Sequence, residues 1–327
     1  MTFLLSRLGH TLIVLLATAF ISFVIIRYVG DPVNNMVGQA ATLADREAMR
    51  RALGLDDPAV LQFWRFLGNV LSGNLGVSYR YGEPVVKLLL ERAPASLELS
   101  LCAMLLAAGL GIPLGVWTAI NRGSVLTRIL LTLSVVGVAL PTFLVGIVLI
   151  LVFSVQLGWL PAFGRGEVTG VWGWTTGLLT ASGLKALILP SLTLGLFQMT
   201  LIMRLVRAEI SEVLRSSFIK FAIARGLPRH SIYYRHALGN ALLPVMTIVA
   251  LQFGNLFAFS VIVETVFQWP GLGLLVIQAI QFADVPVLSA YLVLVSGFFA
   301  LLNLTVDVLS PVIDPRLRVA SHQGRSA

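Results

Sequence analysis

The residues able to do chemistry are few and stand apart. Four histidines, His10, His230, His236 and His322, form neither an HExxH motif nor a His/Asp cluster of metal-ligand spacing. The one cysteine, Cys102, lies between Leu101 and Ala103; it excludes an internal disulfide and a Cys-based metal site and reads as a small buried hydrophobe. There is no Walker A sequence, and Gly271-Leu272-Gly273 runs into Leu274 without completing a GxGxxG, so it reads as a tight turn. Glu98, Glu264 and Asp307 each bound a long charge-free run. A charge at the centre of a membrane helix would cost about 2.5–3.5 kcal/mol, so these three read as interface residues or loop caps. With no catalytic pair, an intramembrane enzyme has nothing to work with.

What remains is a surface for docking. Segment 207–238, RAEISEVLRSSFIKFAIARGLPRHSIYYRHAL, is rich in basic residues yet carries Phe218, Phe221 and Ile223. Ser216 or Ser217 can cap a short helix, Phe218–Arg225, that Gly226 terminates; Leu227-Pro228 then forces a turn before another helix begins. The expectation is a rigid knob with basic flanks and apolar tips. A merely solvated loop would leave Phe and Ile facing water without reason.

The elements that must position this knob follow from where charge is missing. Of 327 residues, 57% are hydrophobic and only 12% charged, against roughly 25% charged in soluble domains. The charge-free runs are Leu8–Ile26, Leu99–Asn121, Ile129–Gly164, Ala186–Met203, Ala237–Val263 and Val285–Val306. A helix needs about 20 apolar residues to cross the hydrocarbon, so six spans are expected near 8–28, 98–120, 129–155, 186–206, 238–262 and 286–308. Leu8–Ile26 after Arg7, with Ala17-Thr18-Ala19, has the look of a signal peptide. The apolar stretch continues past that point, so it reads as an uncleaved first helix.

Basic residues set the orientation. Arg7, Arg122, Arg128, the cluster from Arg204 to Arg235 and the tail fall on one side, while the short opposite loops hold only Arg165 and Lys185. Both termini are therefore placed in the cytoplasm, and the net charge of +8 reads as orientation and docking, not as nucleic-acid binding.

The fold class is an all-α polytopic membrane protein. Its expected parts are a first span at 1–29, an outer helical segment at 30–97, a five-span core at 98–310 and a cytoplasmic tail at 311–327. In the outer segment Thr42 with Asp45 starts a helix that Gly54 ends, and Asp57-Pro58 opens a second. On that second helix Val60, Leu61, Trp64, Leu67 and Leu71 share a face suited to the membrane surface or to neighbouring spans. Glu83-Pro84 starts a third, expected to end before Pro94. Gly109, the GxxxG at Gly111 and Gly115, and Gly137 and Gly146 around Pro141 point to close helix packing, and Pro113 and Pro141 to kinks. Proton- or ion-driven carriers and channels usually carry ionisable groups at mid-membrane, and these spans barely offer any.

Ala222-Ile223-Ala224-Arg225-Gly226-Leu227-Pro228, with His236-Ala237-Leu238 and Asn240-Ala241-Leu242-Leu243-Pro244 downstream, resembles the EAA loop of ABC importer permeases, most closely the dipeptide, oligopeptide and nickel branch. Further pieces occur in order: Leu53-Gly54-Leu55-Asp56-Asp57-Pro58, Gly73-Asn74-Leu75-Gly76, Arg92-Ala93-Pro94-Ala95-Ser96-Leu97-Glu98, Pro141-Thr142-Phe143, Gly158-Trp159-Leu160-Pro161, Val263-Glu264-Thr265-Val266-Phe267 and Ile313-Asp314-Pro315-Arg316. The resemblance implies a type I importer permease in a bacterial inner membrane. Phe218, Phe221, Ala222, Ala224, Arg225, Gly226, Leu227 and Pro228 would form a coupling helix seated in a cleft of an ATP-hydrolysing subunit. The partners it implies are a second similar permease, two ATP-binding subunits or domains that hold the ATP and magnesium, and an external solute-binding protein. The chain itself would carry no cofactor. Outer-side residues Glu264, Phe267, Trp269 and Asp284 are candidates for a gate or a binding-protein contact. The acidic residue of the EAA consensus is absent, Lys220 and Phe221 standing in that region, so no salt bridge is expected there. Peptide is the implied substrate, with nickel or another small solute the alternative.

Overall fold

The computed structural model describes residues 2–28, 42–52 and 55–313. Gly54, Asp314 and the tail arginines therefore lie outside the described residues. The chain divides into two compact units, one of residues 1–94 and 270–304, the other of residues 95–269 and 305–327.

In the first unit, α1 (Thr2–Tyr28) is followed by two short helices, α2 (Leu43–Ala52) and α3 (Ala59–Leu71). Ser22 on α1 accepts a bond at its carbonyl from Ser289 Oγ of α11 (Val285–Ile313). On α3 the face packed on α1 is the aromatic one. Phe63 and Phe66 meet Phe20 and Phe23 of α1 edge-on or tilted, at centroid distances of 5.5–6.1 Å. Val60, Leu61, Trp64 and Leu71 stay exposed. The aromatic rings take the contact with α1, and the aliphatic stripe is left open, as the membrane-surface alternative requires.

The second unit contains most of the membrane core. The helix from Glu83-Pro84 does not end before Pro94. It runs unbroken as α4 (Val85–Ile120), and the boundary between the two units falls at Pro94 itself. Proline removes one helix hydrogen bond, yet Leu88 and Leu89 before it and Ala95, Ser96 and Leu99 after it are all buried. Packing on both sides holds the helix through the defect.

The third expected span is broken. α5 (Val125–Ala139) and α6 (Thr142–Leu149), the latter continued by a π-helical turn Ile150–Gln156, meet at 106°. Leu140 is forced to an extended conformation (ψ 131°) by the proline that follows it, so a right-angled break replaces the expected kink. The pair still crosses the unit. It starts beside the end of α4, where Thr127 Oγ1 donates to the Asn121 carbonyl, and leads to the opposite end, where Gly164 N donates to the Phe267 carbonyl. Counted as one span, it makes six with the five long apolar helices.

α7 (Ala181–Val213) and α9 (Leu238–Val266) complete the core, each carrying an internal proline, Pro190 and Pro244. α4 lies against α7 through its GxxxG. A Cβ on Gly111 would stand 2.9 Å from the Met199 carbonyl, and one on Gly115 only 2.6 Å from Val206 Cβ. Gly146 packs α6 in the same way against Phe267 and Thr193. One feature is not helical: an antiparallel ribbon, β1 (Thr169–Val171) with β2 (Trp174–Thr176), joins the broken span to α7. Its two-residue turn has positive φ at Trp172 and Gly173, the geometry that a tight hairpin requires, and Trp172 stands fully in the open. After α9, α10 (Leu272–Gln281) opens directly at Gly271, so the Gly-Leu-Gly element is a helix start and not a tight turn.

Candidate functional site

The segment expected to dock is a short helix held rigidly at one end of the core. α8 (Ser217–Ala224) is capped by Ser216, whose side chain accepts a hydrogen bond from Ile219 N. Its other end closes in a Schellman turn: Gly226 N donates to the Ile223 carbonyl at 2.9 Å and Leu227 N to the Ala222 carbonyl at 3.3 Å. Gly226 takes the left-handed conformation this turn needs, φ +76°.

The helix presents two faces. Ile219 and Ala222 point inward, Ile219 joining Ile232, Ala237, Val213 and Leu214 in a small core at the end of α7. Phe218, Phe221 and Ile223 point outward with Ala224, Arg225, Leu227 and Pro228. Phe218 meets the His236 ring edge-on at 5.7 Å, and the Arg225 guanidinium lies 5.2 Å from the Phe221 ring. Beside the helix is a cavity of about 620 Å³ bordered by Arg122, Arg215 and Arg229. A partner would meet an apolar tip framed by cations, on a helix whose inner face is fixed.

A π-helical turn, Ser231–Ala237, carries the chain from the knob into α9. Ile219 and Ile232 tie α8 to the end of α7 and to the turn that leads into α9.

The four residues expected to form an outer gate or a binding-protein contact, Glu264, Phe267, Trp269 and Asp284, are buried within the chain. Glu264 accepts from Ser96 Oγ at 2.7 Å and from Ser260 Oγ at 2.9 Å. Phe267 packs over Gly146, and Trp269 Nε1 donates to the Ala95 carbonyl at 2.9 Å. Asp284, in the other unit, accepts from Ser78 Oγ, from Tyr79 N at 3.2 Å and from Arg80 N at 3.4 Å. Each carboxylate spends its lone pairs on neighbouring hydroxyls or amides. All four anchor the outer ends of helices.

One anchor escapes sequence reasoning. Arg165 looks like a stray loop cation, but its Nη2 lies 2.6 Å from Glu98 Oε2 and its Nε 3.2 Å from the same oxygen. The guanidinium also donates to Thr175 Oγ1 and the Thr175 carbonyl, tying the ribbon to α4. Both partners are only 7% exposed. The signal available was weak: one acid at a span entry and one base in a loop 67 residues away.

The fold, six apolar crossings with a short cytoplasmic-type helix inserted between α7 and α9, is that of a type I ABC importer permease. A chain of the MetNI methionine ABC transporter, solved in inward-facing conformations, superposes with a TM-score of 0.54 at 18% identity, over 69% of this chain and 96% of that one. Residues 111–319 match the model of the binding-protein-dependent transport system inner membrane component, and residues 1–100 match its N-terminal companion. The chain belongs to this family and is an inner-membrane permease of an ABC importer. It is 38% identical to the di/tripeptide transport system permease protein DppB of Pseudomonas aeruginosa, over 97% of this chain and 99% of that protein. It is 36% identical to the dipeptide transport system permease protein DppB of Escherichia coli K12, over 97% and 98% respectively. A permease of this class works with an ATPase component and a binding protein.

Proposed function

We propose that this chain forms one half of the membrane path of a peptide importer and that α8 receives the force of ATP hydrolysis. A second, similar permease completes the path, two ATP-binding subunits or domains hold the ATP and magnesium, and an external solute-binding protein delivers a di- or oligopeptide. Support for the substrate comes from full-length similarity to permeases named for dipeptides. The single observation that carries the coupling role is the division of α8: Ile219 packed against Val213 and Leu214 at the end of α7 and Ala222 buried, with Phe218, Phe221 and Ile223 left outward. The +8 charge and the arginines around the knob suit the cytoplasmic side and a partner cleft with acidic walls.

When the ATPases close, the knob is pushed, and the rigid link to α7 and α9 rocks the core between outward- and inward-open states. The test is Ala224→Glu in the full transporter reconstituted with its binding protein. Ala224 is exposed, so folding and membrane insertion should persist. Peptide uptake and co-purification of the ATPase should be lost. Normal uptake by that variant refutes the coupling role, and failure of the unmodified transporter to take up any di- or oligopeptide refutes the substrate.

A further inference from the structure

Half-way along the second unit, the core is hollow. A cavity of about 390 Å³ opens between α6, α7 and α9, walled by Leu194, Phe197, Leu256, Phe259 and Ile262. Its polar lining is three side-chain amides and one hydroxyl: Gln198, Gln252, Asn255 and Thr142. No charged residue lines it.

The amides are incompletely used. Gln198 is 5% exposed, and its Nε2, itself covered from solvent beside the cavity wall, has no hydrogen-bond partner among the described residues. A buried amide donor without a partner costs about 1–3 kcal/mol, so a turn of the side chain toward the cavity, where an acceptor could meet it, is favoured. Asn255 Nδ2 donates to Gln252 Oε1 at 2.7 Å. That bond uses one end of each amide; the pair presents the Gln252 NH2 and the Asn255 carbonyl.

Depth excludes a lipid role. Gln198 is near the middle of α7, and Gln252 and Asn255 are near the middle of α9. Facing hydrocarbon there, the remaining ends of these amides would have no partner and would be disfavoured. The break in the third span falls at the same place, since Thr142, the first residue of α6, lines the cavity. Interrupted backbone at membrane depth is tolerated where it is buried in protein or lines a polar cavity.

We propose that Gln198, Gln252 and Asn255 form a transit site for the backbone of the transported peptide. This rests on the peptide reading above. Gln252, and Gln198 once its side chain turns into the cavity, supply N–H donors to a peptide carbonyl, Asn255 supplies an acceptor to a peptide N–H, and the apolar wall receives side chains of varied shape. An uncharged site of this kind holds what all peptides share. It does not select among their side chains, and it binds weakly enough to release.

The decisive variant is Gln198→Leu in the complete reconstituted transporter, with radiolabelled Ala-Ala as the probe. Leucine removes an unpaired donor, so thermal stability should hold or rise, and ATP hydrolysis stimulated by the binding protein should persist. Uptake should fall about tenfold, the value of roughly one hydrogen bond. A structural amide would instead lose stability together with uptake, which overturns the proposal, as does unchanged uptake.

A second measurement places Asn255→Cys in a Cys102→Ala background and adds a membrane-impermeant thiosulfonate. Labelling from water, slowed when peptide, binding protein and ATP are present, supports the site. Labelling only by a lipid-soluble reagent, or none because the second permease covers the residue, overturns it. If the unmodified transporter takes up no Ala-Ala, the peptide reading falls and this site falls with it. If it does and the variants behave as wild type, only the transit site falls.

Discussion

Cutting the ion pair between Glu98 and Arg165 should destabilise the permease more than replacing both residues together. Arg165 makes two bonds to Glu98 Oε2, at 2.6 and 3.2 Å, and two to Thr175, at 2.7 and 3.2 Å. Glu98 otherwise has only a long contact from Gly177 N at 3.4 Å, and its Oε1 lacks a partner. Arg165→Met therefore leaves a carboxylate buried beside α4 with almost no compensation, a loss of about 3–5 kcal/mol. Glu98→Leu leaves the guanidinium its Thr175 bonds and should cost somewhat less. In the double variant no buried charge remains, and the desolvation that the pair suffers in the native state disappears too. Its cost should be about 1–2 kcal/mol or less, so the two single effects are strongly non-additive. The assay is survival of a monodisperse peak on size exclusion after heating in detergent, for wild type, both single variants and the double. Singles that each cost under about 1 kcal/mol and sum to the double would mean that water screens the pair, and the reasoning from burial would be wrong.

The two ends of the glycine run on α4 should behave oppositely: Gly115→Ala must push against Val206 Cβ at 2.6 Å and the Met203 carbonyl at 2.8 Å, costing about 1–3 kcal/mol in the same heating assay, while Gly109→Ala meets nothing within 4 Å and should be neutral or stabilising. Gly226→Val should lower uptake by distorting the end of α8, since its φ of +76° strains any β-branched residue; no atom lies within 4 Å, so heat survival of the protein should scarcely change. Asp284→Ala should lower heat survival by removing acceptors for Ser78 Oγ, Tyr79 N and Arg80 N, and Asp284→Asn should recover part of the loss because one carbonyl acceptor remains.

Much of this architecture is legible in the sequence because the bilayer simplifies the code. A run such as Leu99–Asn121 without charge has few alternatives to a spanning helix, and the six runs match the five long apolar helices and the broken pair. The knob is legible for a different reason: Ser216 and Gly226 act through local hydrogen bonds and local backbone freedom, and both ends of α8 fall within a residue of expectation. Pro94 misleads because a helix-breaking preference of about 3 kcal/mol is outweighed by buried neighbours on both sides. The turn after α9 is invisible for the opposite reason. Its left-handed residue is Gln268, φ 48°, with no glycine to announce it, and Trp269 N reaches the Glu264 carbonyl at 2.8 Å all the same.

The sequence by itself determined the class: a polytopic chain, its crossings, the side that carries the cations, and a short capped helix between two of them. Those properties follow from hydropathy, charge and caps, which act over a few residues and need no distant partner. Only the tertiary structure decided which polar groups meet. Glu98 finds Arg165, Glu264 finds Ser96, and Gln198 reaches a hollow shared with Gln252 and Asn255 while its own nitrogen stays unpaired. Those outcomes depend on helix rotation and on the 106° break at Pro141, which bring together residues far apart in the chain. In a low-dielectric core an unmatched polar group costs as much as a helix cap contributes, so the partners that packing selects, and the one it withholds, carry the functional content.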